Sequence, residues 1–255
     1  METHRITSRR NPMIVDAIKL LSDTAYRKQS GLIAAEGTKL LYDAMESGVE
    51  VEIAVVSENI EQELKDFRIK KLVVVPEELF KSVSTQKTPQ GAVFFCRRPD
   101  IPKMLQAGNY VILDGVQDPG NVGTVIRTAA AFGLRGVIVC GASADPFGPK
   151  AVRASMGAIF RQAVYIMEYD ELFAAFNGMG IPLIAAMPSG DALDIRRLEK
   201  DPVAVVIGSE GSGVSPRVLE KCLAAVTIPM VQGTESLNAA AAAAVLLWEI
   251  SGRKV

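Results

Sequence analysis

From residue 111 to residue 230 the chain alternates short unbroken apolar runs with stretches whose apolar residues recur at helical spacing, and this constrains the fold more than any other feature. The runs are VILDGV (111–116), GVIVCG (136–141), AVYIM (163–167), IPLIAAM (181–187), PVAVVIG (202–208) and AVTIPM (225–230). Helical patterns accompany them at 123–132, 149–158, 170–177, 215–222 and 236–250. A strand that is apolar at nearly every position must be covered on both faces, and strands that alternate with helices return parallel to one another. The expected architecture is therefore α/β with a mainly parallel sheet. The six consecutive alanines, 239–244, give little area to bury and favour close approach of a neighbouring backbone. They suit either a tightly packed internal helix or a self-association face.

The first hundred residues read differently. Helical periods at 12–22 and 37–46 precede β-branched runs at 51–57, 71–76 and 91–96, with a short helix in EELFKSVS between the last two. Prolines, charges and a glycine then break both periods in RRPDIPKMLQAGN (97–109), which marks a linker. We expect a small α/β domain over 1–103 and a larger one over 107–255, a division that 255 residues comfortably allow.

Composition removes several classes. At 49% hydrophobic and 22% charged residues the chain can build a core, and its net charge of −1 excludes a uniformly cationic coat. Cys96, Cys140 and Cys222 are far apart, and the single histidine, His4, falls at an N-terminus expected to be frayed, so no metal site is expected. The odd cysteine count, the lack of an apolar leader and an apolar run (Leu237–Trp248) too short for a span point to a cytoplasmic protein.

Three loops that follow strands and lead into helices are rich in Gly, Ser, Asn or Pro: 114–128, 207–216 and 228–238. In parallel sheets ligands bind beyond the carboxyl ends of strands, where such loops lie. Gly115–Gly120 has the spacing of a phosphate-binding loop, but Asn121 and Val122 replace its lysine and hydroxyl residue. The order GxxGxG at Gly208, Gly211 and Gly213 is not the dinucleotide fingerprint, and no GxSxG elbow is present. Asp114, Asp118, Arg127, Glu210, Ser236 and Asn238 remain as polar candidates. Each also has an ordinary structural reading, as a turn residue, a helix cap or a solvated charge.

Taken together, NVGTVIRTAAAFG (121–133), VVIGSEGSGVSP (205–216) and IPMVQGTESLNAAAAAA (228–244) resemble, in order and spacing, the three signature motifs of the SpoU or TrmH-type RNA ribose 2′-O-methyltransferases of the SPOUT superfamily. SRRNPMIVDAIKLL, AAEGTKLLYDA and VSTQKTPQGAVFF resemble the ribosomal-protein-L30e-like RNA-binding domain that often precedes it. The resemblance implies a parallel sheet closed by a C-terminal trefoil knot, a homodimer, no metal, and S-adenosylmethionine held at Gly208, Ile228, Met230 and Leu237. It implies that Arg127 acts on the ribose as base or as a grip on phosphate and developing alkoxide. Asn121 would orient Arg127 or the ribose, with Glu210, Ser236 and Asn238 as hydrogen-bonding support.

The first 28 residues carry six basic side chains against three acidic ones, so Arg9, Arg10, Arg27 and Lys28 become candidate RNA contacts, with Lys150 and Arg153 in the larger domain. Structured RNA, ribosomal RNA of the large subunit first and transfer RNA second, is the expected partner. A non-catalytic RNA-binding protein of the same fold is the alternative, and the complete set Asn121, Arg127, Glu210, Ser236 and Asn238 argues against it.

Overall fold

The computed structural model describes residues 2–64, 68–188, 192–199, 202–231 and 236–251. The chain divides into two compact units: Met1–Asp100 with Phe147–Arg161, and Ile101–Pro146 with Gln162–Val255.

The first unit runs β1 (Glu2–Arg5), α1 (Pro12–Ser22), α2 (Thr24–Ser30), β2 (Leu32–Glu36), α3 (Thr38–Glu46), β3 (Val51–Ser57), β4 (Ile69–Val75), α4 (Glu77–Val83) and β5 (Ala92–Arg97). Asn11 caps α1 by accepting from the Met13 N–H, and Pro12 at the first helical position needs no such partner, so this helix begins where its sequence says it should. The mixed sheet has the order β1-β4-β3-β5-β2. Ile14, Ala17, Leu20 and Leu21 of α1 and Phe80 of α4 pack on Val55, Val73 and Val93 of the sheet.

One expectation is corrected here, and one strand had no forecast. The N-terminus is not frayed: Glu2–Arg5 pairs in parallel with Lys71–Val74, placing His4 opposite Val73 on an edge strand. Strand β2, for which the sequence shows no clear strand pattern, pairs antiparallel with β5.

The second unit contains β6 (Tyr110–Asp114), α5 (Pro119–Ala131) and β7 (Gly136–Cys140). The chain then supplies α6 (Pro149–Ala154), which groups with the first unit and lies against β2, although the sequence placed it within 107–255. The second unit resumes with β8 (Val164–Ile166), α7 (Tyr169–Met179), β9 (Leu183–Ala186), β10 (Leu193–Asp194), β11 (Ala204–Gly208), α8 (Pro216–Leu219), β12 (Ala224–Thr227) and α9 (Ala239–Ser251).

All the pairings in its sheet, ordered β10-β12-β9-β11-β6-β7-β8, are parallel. Tyr110 and Ile112 face a core closed by Leu172 and Phe176 of α7 and Val218 of α8. The alternate residues Val111 and Leu113 are equally buried on the opposite face, where α5 and α9 pack on the sheet and on each other. Ala239, Ala240 and Ala243 are buried, whereas Val245 and Trp248 are 43% and 62% exposed. The alanine-rich helix is thus packed inside on one side and apolar outside on the other. Strand order reverses around β6: β7 and β8 extend one way, while β11 inserts on the other side between β6 and β9. The carboxyl ends of β6 and β11 meet at this switch, with Asp114 opposite Gly208.

Candidate functional site

The three glycine-rich loops converge at that switch point. Asp118 caps α5 by accepting from the Gly120 N–H at 2.8 Å, and Pro119 sets the first turn. This places Asn121 in the first turn of the helix, on its buried side. Its Nδ2 donates to Glu210 Oε1 at 2.6 Å, and its Oδ1 accepts from Asn238 Nδ2 at 3.1 Å. Asn238 Oδ1 in turn accepts from the Ala240 and Ala241 N–H groups, capping α9. The amide orientations are mutually fixed: a backbone N–H requires the Asn238 oxygen, which turns its nitrogen to Asn121 and leaves the Asn121 nitrogen for the carboxylate. One polar chain therefore ties together residues 121, 210 and 238, one from each loop.

Beside it lies a cavity open to solvent. Gly208, Ile228, Met230 and Leu237, the four residues assigned to a cofactor by resemblance, all line it, as do Glu210 and Ser236. Residues 232–235 of the third loop lie outside the described residues. Sequence reasoning missed Ala186, Met187 and Pro188, which form a further wall. The signal for them was positional, since β9 neighbours β11 and ends at the same edge of the sheet.

At Gly208 the chain leaves no room for a side chain. A Cβ there would lie 2.0 Å from Gly213 C and 2.1 Å from Val214 N, both main-chain atoms. The loop folds back on itself, Ser209 and Gly213 exchanging two 3.0 Å backbone hydrogen bonds, so the close approach is by the chain's own next turn.

The cavity is apolar over most of its wall, with Glu210 the ionisable side chain among its described lining residues. Aliphatic walls and one carboxylate suit a nucleoside-like ligand carrying positive charge. Glu210 Oε2 takes no hydrogen bond among the described residues. Arg127 is exposed on α5, six residues beyond Asn121 and so about 9 Å farther along the axis. It makes no ion pair or hydrogen bond among the described residues. Thiol chemistry has no support here: burial pushes Cys96 and Cys140 up to about 12 and Cys222 to about 11.

Of the residues proposed for RNA, Arg9, Arg10, Lys28, Lys150 and Arg153 are exposed. Arg27 is not. It is 4% exposed and donates to the Leu20 carbonyl at 2.8 Å and to Thr24 Oγ1 at 3.1 Å, closing the end of α1. A guanidinium spent on the carbonyls that end the preceding helix is a structural cap, so Arg27 leaves the set of phosphate contacts. Among the described residues no helix is long and apolar enough to cross a membrane, and no group of three His, Cys, Asp or Glu is placed to hold a metal.

Comparison with known proteins agrees with this geometry. Residues 108–248 match the SpoU rRNA Methylase family, and residues 11–93 match the MRM3-like substrate binding domain. A tRNA/rRNA methyltransferase of Synechocystis is 34% identical over 96% of this chain and 92% of its own length. The 23S rRNA (guanosine(2553)-2′-O)-methyltransferase RlmP of Bacillus subtilis is 30% identical over 97% of this chain and 99% of its own. The crystal structure of an AdoMet-bound rRNA methyltransferase from Sinorhizobium meliloti superposes with a TM-score of 0.88 at 29% identity, covering 99% of both chains.

Proposed function

Because the chain belongs to the SpoU rRNA methylase family, we propose that it transfers a methyl group from S-adenosylmethionine to a ribose 2′-hydroxyl of ribosomal RNA, that of the large subunit. The observation that carries this reading is the polar chain Glu210–Asn121–Asn238, which joins all three signature loops and shares Glu210 with a cavity lined by the second and third of them. The 23S substrate of the Bacillus relative supports the choice of RNA.

When bound, S-adenosylmethionine supplies a methyl group on a sulfonium that is already a good leaving group. Gly208, Ile228, Met230 and Leu237 would hold it by main-chain contacts and apolar surface, and the Glu210 carboxylate favours its positive charge. Asn121, locked on both sides, keeps one N–H and one lone pair to orient the ribose hydroxyl. Arg127, an exposed guanidinium, serves as a positive charge for RNA phosphate and for the developing 2′-oxyanion. The hydroxyl proton needs an acceptor, and Glu210 Oε2 is the carboxylate oxygen that the cavity wall offers. Ser236 supports the same wall.

Residues 1–103 form the RNA-binding part, with Arg9, Arg10 and Lys28, joined by Lys150 and Arg153, contacting phosphates. The catalytic part is 107–255, closed by a trefoil knot. Two copies associate through the apolar side of α9, where Trp248 stays 62% exposed, and Arg127 completes the partner's site. The enzyme works in the cytoplasm.

Calorimetry with S-adenosylmethionine, followed by mass-spectrometric mapping of ribose methylation in ribosomal RNA with and without the gene, tests the reading. Saturable binding and one missing 2′-O-methyl group are expected; absence of binding refutes it. Glu210→Gln separates the carboxylate's two duties, since Gln Oε1 still accepts from Asn121 while Nε2 replaces the free oxygen. Turnover should fall with Asn121 still held.

A further inference from the structure

Asp114 stood among the candidate acids in the sequence, yet the reaction leaves it without a part. It is 2% exposed at the carboxyl end of β6, and neither oxygen is free. Oδ1 accepts from the Tyr169 hydroxyl at 2.7 Å, and Oδ2 accepts from the Ser215 N–H at 2.7 Å. The main chain of Asp114 pairs with Gly208 across the β6–β11 ladder. One residue thus grips both ends of the loop from Gly208 to Ser215, its backbone at the start and its carboxylate at the end. That loop contributes Gly208, Ser209, Glu210 and Gly213 to the cavity.

We propose that Asp114 is a positioning residue that sets the shape of the Gly208–Ser215 loop and thereby the affinity for S-adenosylmethionine. The inference rests on the methyltransferase reading above. Two further features support a built clamp rather than an incidental contact. Gly141 has no side chain where Tyr169 arrives: a Cβ there would lie 2.3 Å from the phenolic oxygen. Burial and the Asp114 carboxylate push the Tyr169 phenol up to about 12, so it remains a proton donor throughout the ordinary pH range. With both oxygens occupied and turned to α7 and α8, Asp114 cannot take a proton from substrate. Its effect must pass through the loop.

The test compares Asp114→Ala, Asp114→Asn and Tyr169→Phe with the natural protein by calorimetric titration with S-adenosylmethionine and by steady-state kinetics on RNA. Asp114→Ala leaves the Ser215 N–H and the Tyr169 hydroxyl unanswered, and should raise Kd and KM for the cofactor about tenfold or more. At saturating cofactor kcat should change less than KM, because the reacting groups are untouched. Asp114→Asn should recover most of the affinity, its oxygen accepting from Ser215 and its nitrogen donating to Tyr169. Tyr169→Phe, which loses one of the two bonds, should weaken binding by about two- to fivefold. If Asp114→Ala does not fold, Tyr169→Phe decides. Unchanged cofactor affinity in the variants that fold, even with a lowered melting temperature, overturns the proposal. Failure of the natural protein to bind S-adenosylmethionine would instead strike the methyltransferase reading itself.

Discussion

Replacing Gly208 by alanine is the sharpest perturbation the site allows. The added methyl group would stand 2.0, 2.1 and 2.3 Å from Gly213 C, Val214 N and Gly213 O, where ordinary contact begins near 3.4 Å. None of these atoms belongs to a side chain that can swing away, so the segment 213–214 must move by about 1 Å or more. That movement breaks the two hydrogen bonds between Ser209 and Gly213, at about 0.5–1.5 kcal/mol each. Overpacking strain adds about 1–3 kcal/mol. The total is about 2–6 kcal/mol, shared between lower stability and a displaced cavity wall. If half falls on binding, the affinity for S-adenosylmethionine drops about fivefold to more than a hundredfold. Denaturant unfolding and calorimetric titration of the same preparation divide the two parts. Gly211→Ala is the internal control: it lies in the same loop, nothing stands within 4 Å of its Cβ position, and no positive φ is involved. It should bind as the natural protein does. Gly208→Ala with unchanged stability and affinity, or a Gly211→Ala variant equally damaged, would refute the reasoning.

Other outcomes follow from the same geometry. Asn238→Ala should cost about 0.5–2 kcal/mol in unfolding experiments by removing the cap of α9. Asn238→Asp keeps that cap but turns a carboxylate toward Asn121 Oδ1, so turnover should fall while stability is largely kept. Arg127→Ala should abolish turnover and leave both melting temperature and cofactor affinity unchanged, as measured by single-turnover methylation and calorimetry. Arg27→Ala should destabilise the protein without altering the salt dependence of RNA binding, whereas alanine at Arg9 or Lys28 should lessen that dependence and spare stability. In alkaline unfolding, a phenol raised to about 12 in the fold and near 10 when unfolded contributes stability below pH 10 that disappears as pH rises through 12. Tyr169→Phe should remove that part of the decline.

The periodic elements were legible because periodicity is local. Pro12–Ser22 begins with Asn–Pro, and Val51–Ser57 is rich in β-branched residues, so each announces itself within its own span. Strand β1 did not, because an edge strand of the composition ETHR carries charge where an interior strand carries valine, and its pairing partner lies some seventy residues away. Strand β2 was hidden by two alanines that serve helix and strand alike. The three loops were identified by their order along the chain. Their joining was not, since the hydrogen bonds from Asn121 span 89 and 117 residues and obey no spacing rule. The same holds for the clasp of Asp114 on Ser215, 101 residues on. Arg27 shows the converse error: a charge that looked available in the sequence is consumed by the helix end next to it.

The insertion of β11 between β6 and β9 governs the timetable of synthesis. As the polypeptide emerges, β6, β7 and β8 can zip together early, but their open flank waits for residues 204–208, and β9 has no neighbour on that side until then. The anchor for Asn121 arrives later still, with Asn238. A nascent chain halted before residue 204 emerges therefore holds a sheet with an open apolar flank, and one halted before α9 still lacks the side chain that fixes Asn121.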